Sequence, residues 1–175
     1  MRGKSQEAAE NRLRTLLYYY FANAFADLFG KRIFIVLGDV TSDFGKDLKV
    51  DTAFNCAAIV KHFSEGTEIE DVNIGGAKRC VCFCLKTGAQ LVHVSTASTR
   101  GLWAGTIKDE VFTEQRFYMG QFLGNKYIYS KFMAERLILD AVALHGLRAK
   151  IMRVGNLAAR STDGEFQANF STNRS

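Results

Sequence analysis

No proline occurs in the 175 residues, tryptophan occurs once, and histidine only three times. Long apolar runs are missing too. None approaches the ~20 residues that a helix needs to cross a bilayer, which argues against a membrane partner. The opening stretch Met1-Arg2-Gly3-Lys4-Ser5-Gln6-Glu7 is polar, with no apolar signal-peptide core behind it, so the chain is expected to be cytoplasmic. The four cysteines are Cys56, Cys80, Cys82 and Cys84. Within the helical pattern of the last three, Cys80 and Cys84 share a face and Cys82 points elsewhere. No histidine or further cysteine pair completes a metal set, so reduced, partly buried thiols are expected and no metal.

What is present is ordinary for a soluble globular protein of one domain: 47% hydrophobic and 23% charged residues. The net charge of +5 is spread along the chain rather than clustered. That argues against a nucleic-acid partner and suits a phosphorylated cofactor or an acidic protein partner.

Ser5 can cap a helix running to about Phe29, with Leu13, Leu16, Leu17, Phe21, Phe25 and Leu28 at helical spacing. The run Arg32-Ile33-Phe34-Ile35-Val36-Leu37 reads as a buried strand ending in the turn Gly38-Asp39. A polar loop follows from Thr41 to Lys49. A second strand runs from Asp51 into the small residues Ala57-Ala58. A helix is expected over about Glu70–Thr87, closed by Gly88, and a third strand over Gln90–Ser95. Residues 98–124 have no clear period and read as a loop-rich excursion. Asn125 can cap a long helix through Tyr127, Lys131 and Leu139 to about Leu144. Lys150–Val154 is a fourth strand, and the tail from Ala158 is polar. Strands alternating with helices predict a parallel sheet covered on both faces, with ligands at the carboxyl ends of the strands. Those ends are Asp39, Ala57-Ala58, Thr96 and Gly155-Asn156.

The strongest chemical constellation is Tyr127-x-x-Ser130-Lys131, with Thr96 upstream at a strand end. Tyr127 and Lys131 are four apart and share a helix face. A tyrosine with a pKa near ~10 is a poor acid at neutral pH, and a neighbouring ammonium lowers that pKa. Tyr127 is then placed to give a proton to a carbonyl oxygen as hydride reaches the carbon, and Thr96 to hydrogen-bond the same oxygen. A bare Y-x-x-x-K is weak among six tyrosines, but the strand before this helix and the strand after it strengthen the assignment.

In order along the chain, Asn55-Cys56-Ala57-Ala58, Val94-Ser95-Thr96-Ala97, Tyr127-x-x-Ser130-Lys131 and Arg153-Val154-Gly155-Asn156-Leu157 resemble the signatures of extended short-chain dehydrogenases/reductases. Asn73-x-x-Gly76 resembles that family's structural asparagine motif, with Gly75 fitting equally well. Gly38-Asp39-Val40 resembles its adenine-contacting turn. Ala9-Glu10-Asn11-Arg12-Leu13, Val60-Lys61-His62-Phe63 and Asp163-Gly164-Glu165-Phe166-Gln167 are similar to the thioester reductase (male-sterility, NAD-binding) branch. That branch includes the terminal domains of nonribosomal peptide synthetases, carboxylic acid reductases and fatty acyl reductases.

The resemblance implies a Rossmann-like, doubly wound α/β domain that uses NADPH to reduce a carrier-bound acyl or peptidyl thioester to an aldehyde or alcohol. Its partners would be an acyl or peptidyl carrier protein bearing phosphopantetheine and a parent multidomain synthetase. It implies Thr96, Tyr127 and Lys131 as the catalytic set. Arg2, Asp39, Val40, Ala57, Ala58, Lys131, Gly155 and Asn156 would surround the cofactor, with Lys131 on the ribose hydroxyls and Arg2 at the 2′-phosphate.

Two departures stand against the pattern. No G-x-x-G-x-x-G occurs, so the first βα unit and its phosphate-binding loop are expected to be lacking, with much weaker cofactor affinity as the consequence. Most of the carboxyl-terminal substrate lobe is expected to be lacking as well. Residues 1–157 are then a partial dinucleotide-binding domain, and 158–175 a loose start of the substrate region: an internal fragment.

Other readings stay open. His62 either faces the site or is a loop histidine, and His93 is a core residue rather than a catalytic one. Trp103, Phe112, Phe117, Tyr118 and Phe122 either line an acyl channel or pack the excursion onto the sheet. Glu110 and Glu114 are solvated. The rival functions are an NAD-dependent nucleotide-sugar epimerase or dehydratase using the same three residues, and a non-catalytic remnant that docks a carrier protein.

Overall fold

The computed structural model describes residues 3–43, 48–60, 66–101, 113–155 and 159–165. The chain divides into two compact units, Met1–Leu37 with Asn156–Ser175, and Gly38–Gly155.

The first unit is built on helix α1, Gln6–Phe21. Ser5 caps it by accepting the Ala8 N–H at 3.1 Å. Ala22 takes φ +48, where the α-helix ends, and the predicted remainder continues as a 3-10 helix over Ala22–Leu28. The stripe is only partly covered, with Leu13, Leu17, Phe25 and Leu28 half-buried but Leu16 and Phe21 exposed. Arg160 donates to the Tyr20 carbonyl at 3.0 Å and pairs with Asp163 in the turn that follows.

The expected strand Arg32–Leu37 is not formed. Among the described residues, its one pairing is an isolated bridge between Phe29 and Ile33, and Phe34 is 69% exposed. An apolar, β-branched run becomes a strand only where a neighbour completes its hydrogen-bond ladder, and no described strand runs beside this one.

The second unit follows the sequence pattern closely. Three parallel strands, β1 (Thr52–Asn55), β2 (Gln90–Thr96) and β3 (Ala149–Val154), lie in the order β1-β2-β3. Such an order is one half of a doubly wound, Rossmann-like sheet. The crossover from β1 to β2 is a continuous helical segment. It begins as α2 (Glu68–Glu70), passes through a π-helical turn (Asp71–Gly75) and continues as α3 (Gly76–Thr87). Gly88 closes it at φ +73, a left-handed conformation that glycine adopts without steric cost. The crossover from β2 to β3 is α4 (Lys126–His145), whose Asn125 cap accepts the N–H groups of Tyr127 and Ile128.

Helices α3 and α4 cover one face of the sheet. Val81 and Cys84 from α3 and Ile138 and Ala141 from α4 pack with Leu91, against which Ala53 and Ile151 also lie. Burial pushes the Cys80 thiol up to about 12 and raises that of Cys84. Both are therefore inert thiols, while Cys82 is exposed.

The glycine left open by the sequence resolves to Gly76. A Cβ there would sit 2.6 Å from Val40 Cγ2, whereas one at Gly75 would meet the flexible Arg79 guanidinium at 3.1 Å and the Glu70 carbonyl at an ordinary 3.9 Å. Gly76→Ala is therefore expected to cost about 1–3 kcal/mol through overpacking, offset by up to ~1 kcal/mol of helix propensity. Gly75→Ala should be neutral or mildly stabilising. Urea unfolding of the two variants checks the difference.

Candidate active site

Strand register sets what faces the helices. Asn55 pairs with His93, and Ser95 with Arg153. By strand alternation Leu91, His93 and Ser95 share a face. The face is apolar beneath Ile138 and Ala141 and turns polar towards the carboxyl ends, where α4 lays Lys131 and Glu135 on it. All of Asn55, His93, Ser95, Lys131 and Glu135 are buried.

Glu135 has no exposure. Its carboxylate accepts the Ser95 hydroxyl at 2.5 Å and two donors of Arg153, Nε at 3.0 Å and Nη2 at 2.8 Å. Arg153 also donates to the Arg116 carbonyl at 2.9 Å, tying the excursion to β3. Asn73, in the π-helical turn, accepts the Ile59 N–H at 2.8 Å and donates to the Ile59 carbonyl and to Ser130 Oγ. Ser130 in turn donates to the Tyr127 carbonyl at 2.8 Å. The segment after β1 is thereby fastened to the helix that carries Tyr127.

Thr96 ends β2, and its side chain hydrogen-bonds that of Tyr127. Thr96 Oγ1 already accepts the Ser98 N–H at 3.1 Å, which leaves its hydroxyl proton for Tyr127. That bond favours the phenolate, but burial of the ring outweighs it, and the phenol sits above its usual range. The lowering by Lys131 that the sequence predicts is not the observed balance; the opposing influence comes from Thr96. Lys131 instead turns into the sheet. Its Nζ donates to the Val94 carbonyl at 2.5 Å and lies 3.4 Å from His93 Nε2. Burial lowers Lys131 to about 8, against the raising influence of Glu135 and Cys56.

Ala57 and Ala58 follow β1, where the Ala57 N–H donates to Asn55 Oδ1 at 3.3 Å. Gly155 follows β3 with open space where a Cβ would be. Asp39 forms a turn by accepting the N–H and hydroxyl of Thr41, and the Val40 carbonyl accepts Arg79 at 3.3 Å. Thr96, Tyr127 and Lys131 thus lie on adjoining elements at the carboxyl ends of parallel strands, bordered by small residues. That arrangement fits the ribose–nicotinamide half of a dinucleotide.

Arg2, His62, Trp103, Glu110, Phe112 and Asn156 lie outside the described residues. Glu114 is exposed. Phe117 stacks on Phe132 with centroids 4.3 Å apart, whereas Tyr118 and Phe122 are exposed. Among the described residues no His/Cys/Asp/Glu group can hold a metal ion, and no helix is long and apolar enough to cross a membrane.

A parallel sheet with a threonine ending its central strand, and a tyrosine and lysine one turn apart on the crossing helix, is the construction of a Rossmann-like short-chain reductase. The family model for male sterility protein matches residues 1–174, and the chain belongs to that NAD-binding family. It is 37% identical to a thiolation-reductase di-domain from an archaeal non-ribosomal peptide synthetase, covering 99% of this chain and 48% of that one, at TM-score 0.87. It is 32% identical to the reductase domain of the Aureusimine biosynthetic cluster, covering 99% and 46%, at TM-score 0.83. A UDP-galactose 4-epimerase shares the fold at 19% identity and TM-score 0.57, covering 72% of this chain and 42% of that one. The chain thus spans about half the length of the reductases that it matches, 48% and 46%. No curated protein matches it.

Two predictions follow from the buried groups. Glu135→Ala leaves Arg153 without its carboxylate and Ser95 without its acceptor, and should cost about 3–5 kcal/mol in urea unfolding. His93 is lowered from 6.5 to about 3 by burial and by Lys131. Between those values the unfolded chain binds a proton that the folded chain refuses, so stability should fall as pH drops from about 6.5 towards about 3. Urea midpoints at about pH 7 and about pH 4.5 should differ less in His93→Phe than in the parent.

Proposed function

We propose that the chain carries the catalytic half of an NADPH-dependent reductase that converts a carrier-bound acyl or peptidyl thioester to an aldehyde, or onward to an alcohol. The observation that carries the reading is the Thr96–Tyr127 hydrogen bond at the carboxyl end of β2, together with 37% identity to the thiolation-reductase di-domain. When bound, the cofactor supplies a hydride to the thioester carbonyl carbon.

The chain's own residues handle the oxygen and the proton. Tyr127 is a phenol at neutral pH and has a proton to give; burial opposes its release, and the hydrogen bond from Thr96 offsets part of that. On substrate binding Thr96 turns its one hydroxyl proton from Tyr127 to the same carbonyl oxygen and orients it. Lys131, one turn on, spends one Nζ donor on the Val94 carbonyl and would turn another to the ribose hydroxyls when the cofactor is bound. Ala57, Ala58 and Gly155 leave room for the nicotinamide half, Asn156 flanks it, Asp39 and Val40 meet the adenine, and Arg2 meets the 2′-phosphate. Hydride and proton together give a hemithioacetal, and its collapse expels the carrier thiol and leaves the aldehyde. The partners are a carrier protein bearing phosphopantetheine and the remainder of a multidomain synthetase. Residues 1–157 form the dinucleotide-binding part, and 158–175 begin the substrate region.

The test is NADPH consumption and aldehyde formation with an acyl-carrier thioester, in the polypeptide as it occurs naturally. Tyr127→Phe should lower turnover by roughly 10²–10⁴-fold, the usual contribution of a positioned proton donor. Undiminished turnover in Tyr127→Phe, or turnover of a nucleotide sugar in place of the thioester, contradicts the reading. Carrier binding with no reduction at all favours a docking remnant.

A further inference from the structure

The chemistry proposed above uses Tyr127, Thr96 and Lys131 but leaves unused a line of buried polar groups beneath them. It starts at a backbone amide. The Ala57 N–H donates to Asn55 Oδ1 at 3.3 Å, and Asn55 Nδ2 lies 3.1 Å from His93 Nδ1. His93 Nε2 lies 3.4 Å from Lys131 Nζ, which donates to the Val94 carbonyl at 2.5 Å. Asn55, His93 and Lys131 are 5%, 1% and 3% exposed, so water does not complete their hydrogen bonding.

The protons in this line can be assigned by elimination. Turning the Asn55 amide over would set its NH2 against the Ala57 N–H, donor against donor, so the amide direction is fixed by the backbone. Asn55 Nδ2 then donates, and His93 Nδ1 must accept. A neutral imidazole that accepts at Nδ1 carries its hydrogen on Nε2, and that hydrogen faces Lys131. An ammonium has three donors and no lone pair, whereas an amine has one lone pair. Every bond in the line is therefore made, all donors pointing one way, when Lys131 is the amine.

We propose that Asn55 and His93 are positioning residues for the reductase site: the backbone-fixed amide selects the Nε2–H tautomer of His93, and that tautomer favours the neutral form of Lys131. The inference rests on the reading above only for placing Lys131 in the cofactor site. The depressed Lys131 value, about 8, and the depressed His93 value, about 3, agree with it. The other groups around Lys131 are Cys56 at the end of β1, and Glu135 and Tyr127 on its own helix. Arg153 of β3 is engaged by Glu135. Cys56 and Glu135 act the other way, favouring the ammonium. The lysine therefore stands between two opposed influences, burial beside His93 on one side and Glu135 and Cys56 on the other.

Long-range ¹H–¹⁵N correlation on the histidine-labelled chain reads the tautomer of His93 directly in the unmodified protein. The ¹³Cε shift of Lys131 reads its titration. The Nε2–H tautomer, unchanged on acidification until the fold is lost, is expected, with Lys131 titrating at least a unit below an exposed lysine. Asn55→Asp replaces the donor by an acceptor and should turn His93 to the Nδ1–H tautomer, moving the Lys131 titration upward by a unit or more. Asn55→Ser, which adds no charge, should weaken the tautomer preference and raise Lys131 less. An Nδ1–H tautomer or an imidazolium in the unmodified chain overturns the proposal. A folded Asn55→Asp chain in which Lys131 titrates as before does so too. None of these readouts involves turnover, so a failed reductase assay and a failed tautomer assignment are distinguishable.

Discussion

The structure depends on one costly arrangement: helix α4 lays Lys131 and Glu135 directly on the sheet, where neither has water. A buried charge is tolerated only when it is paired and hydrogen-bonded. Glu135 meets that condition through Arg153 and Ser95, residues paired side by side on neighbouring strands. Lys131 donates to the Val94 carbonyl, and burial beside His93 draws it towards its neutral form. These partners all sit in the carboxyl half of the strands, so the helix has one favourable register. A shift by one residue would turn the helix by about 100° and carry Lys131 and Glu135 away from these partners.

That fixed register is what gives the candidate site its geometry. With α4 held by Glu135 and Lys131, Tyr127 reaches the last residue of β2, where Thr96 meets it. The Asn73 clamp on Ile59 and Ser130 holds the strand-end segment of β1 to the same helix. The residues proposed for chemistry, half-buried Thr96 and Tyr127 and buried Lys131, therefore stand at the strand-end edge of this framework. The same framework sets proton states: burial keeps Tyr127 a phenol, keeps His93 neutral and draws Lys131 down towards neutrality.

Much of this was legible in the sequence. The Asn125 cap, the Gly88 stop and the three strands at 52–55, 90–96 and 149–154 are local signals, and each stands within a few residues of its predicted place. The Thr96, Tyr127 and Lys131 pattern was legible because strand end and helix spacing suffice to bring those residues together. The strand at 32–37 was misread because pairing is not local: the apolar run resembles β2, but no described strand lies beside it. Glu135 was missed for a related reason. Four residues after Lys131 on a helix, it reads as half of an ordinary solvated pair, and only the sheet register reveals Ser95 and Arg153 beneath it. His93 was expected to be core, and it is buried as expected. Its contacts with Asn55 and Lys131 require the β1–β2 register, which single-chain periodicity does not contain.

The most direct measurement is amide chemical-shift mapping of the ¹⁵N-labelled chain titrated with NADPH to millimolar concentration, which detects weak binding as well as tight. Perturbations grouped at Ala57-Ala58, Thr96-Ala97, Tyr127 to Lys131 and Gly155 are expected, because those residues border the strand-end site. Perturbations confined elsewhere, or none at millimolar cofactor, would contradict the placement of the nicotinamide at these strand ends.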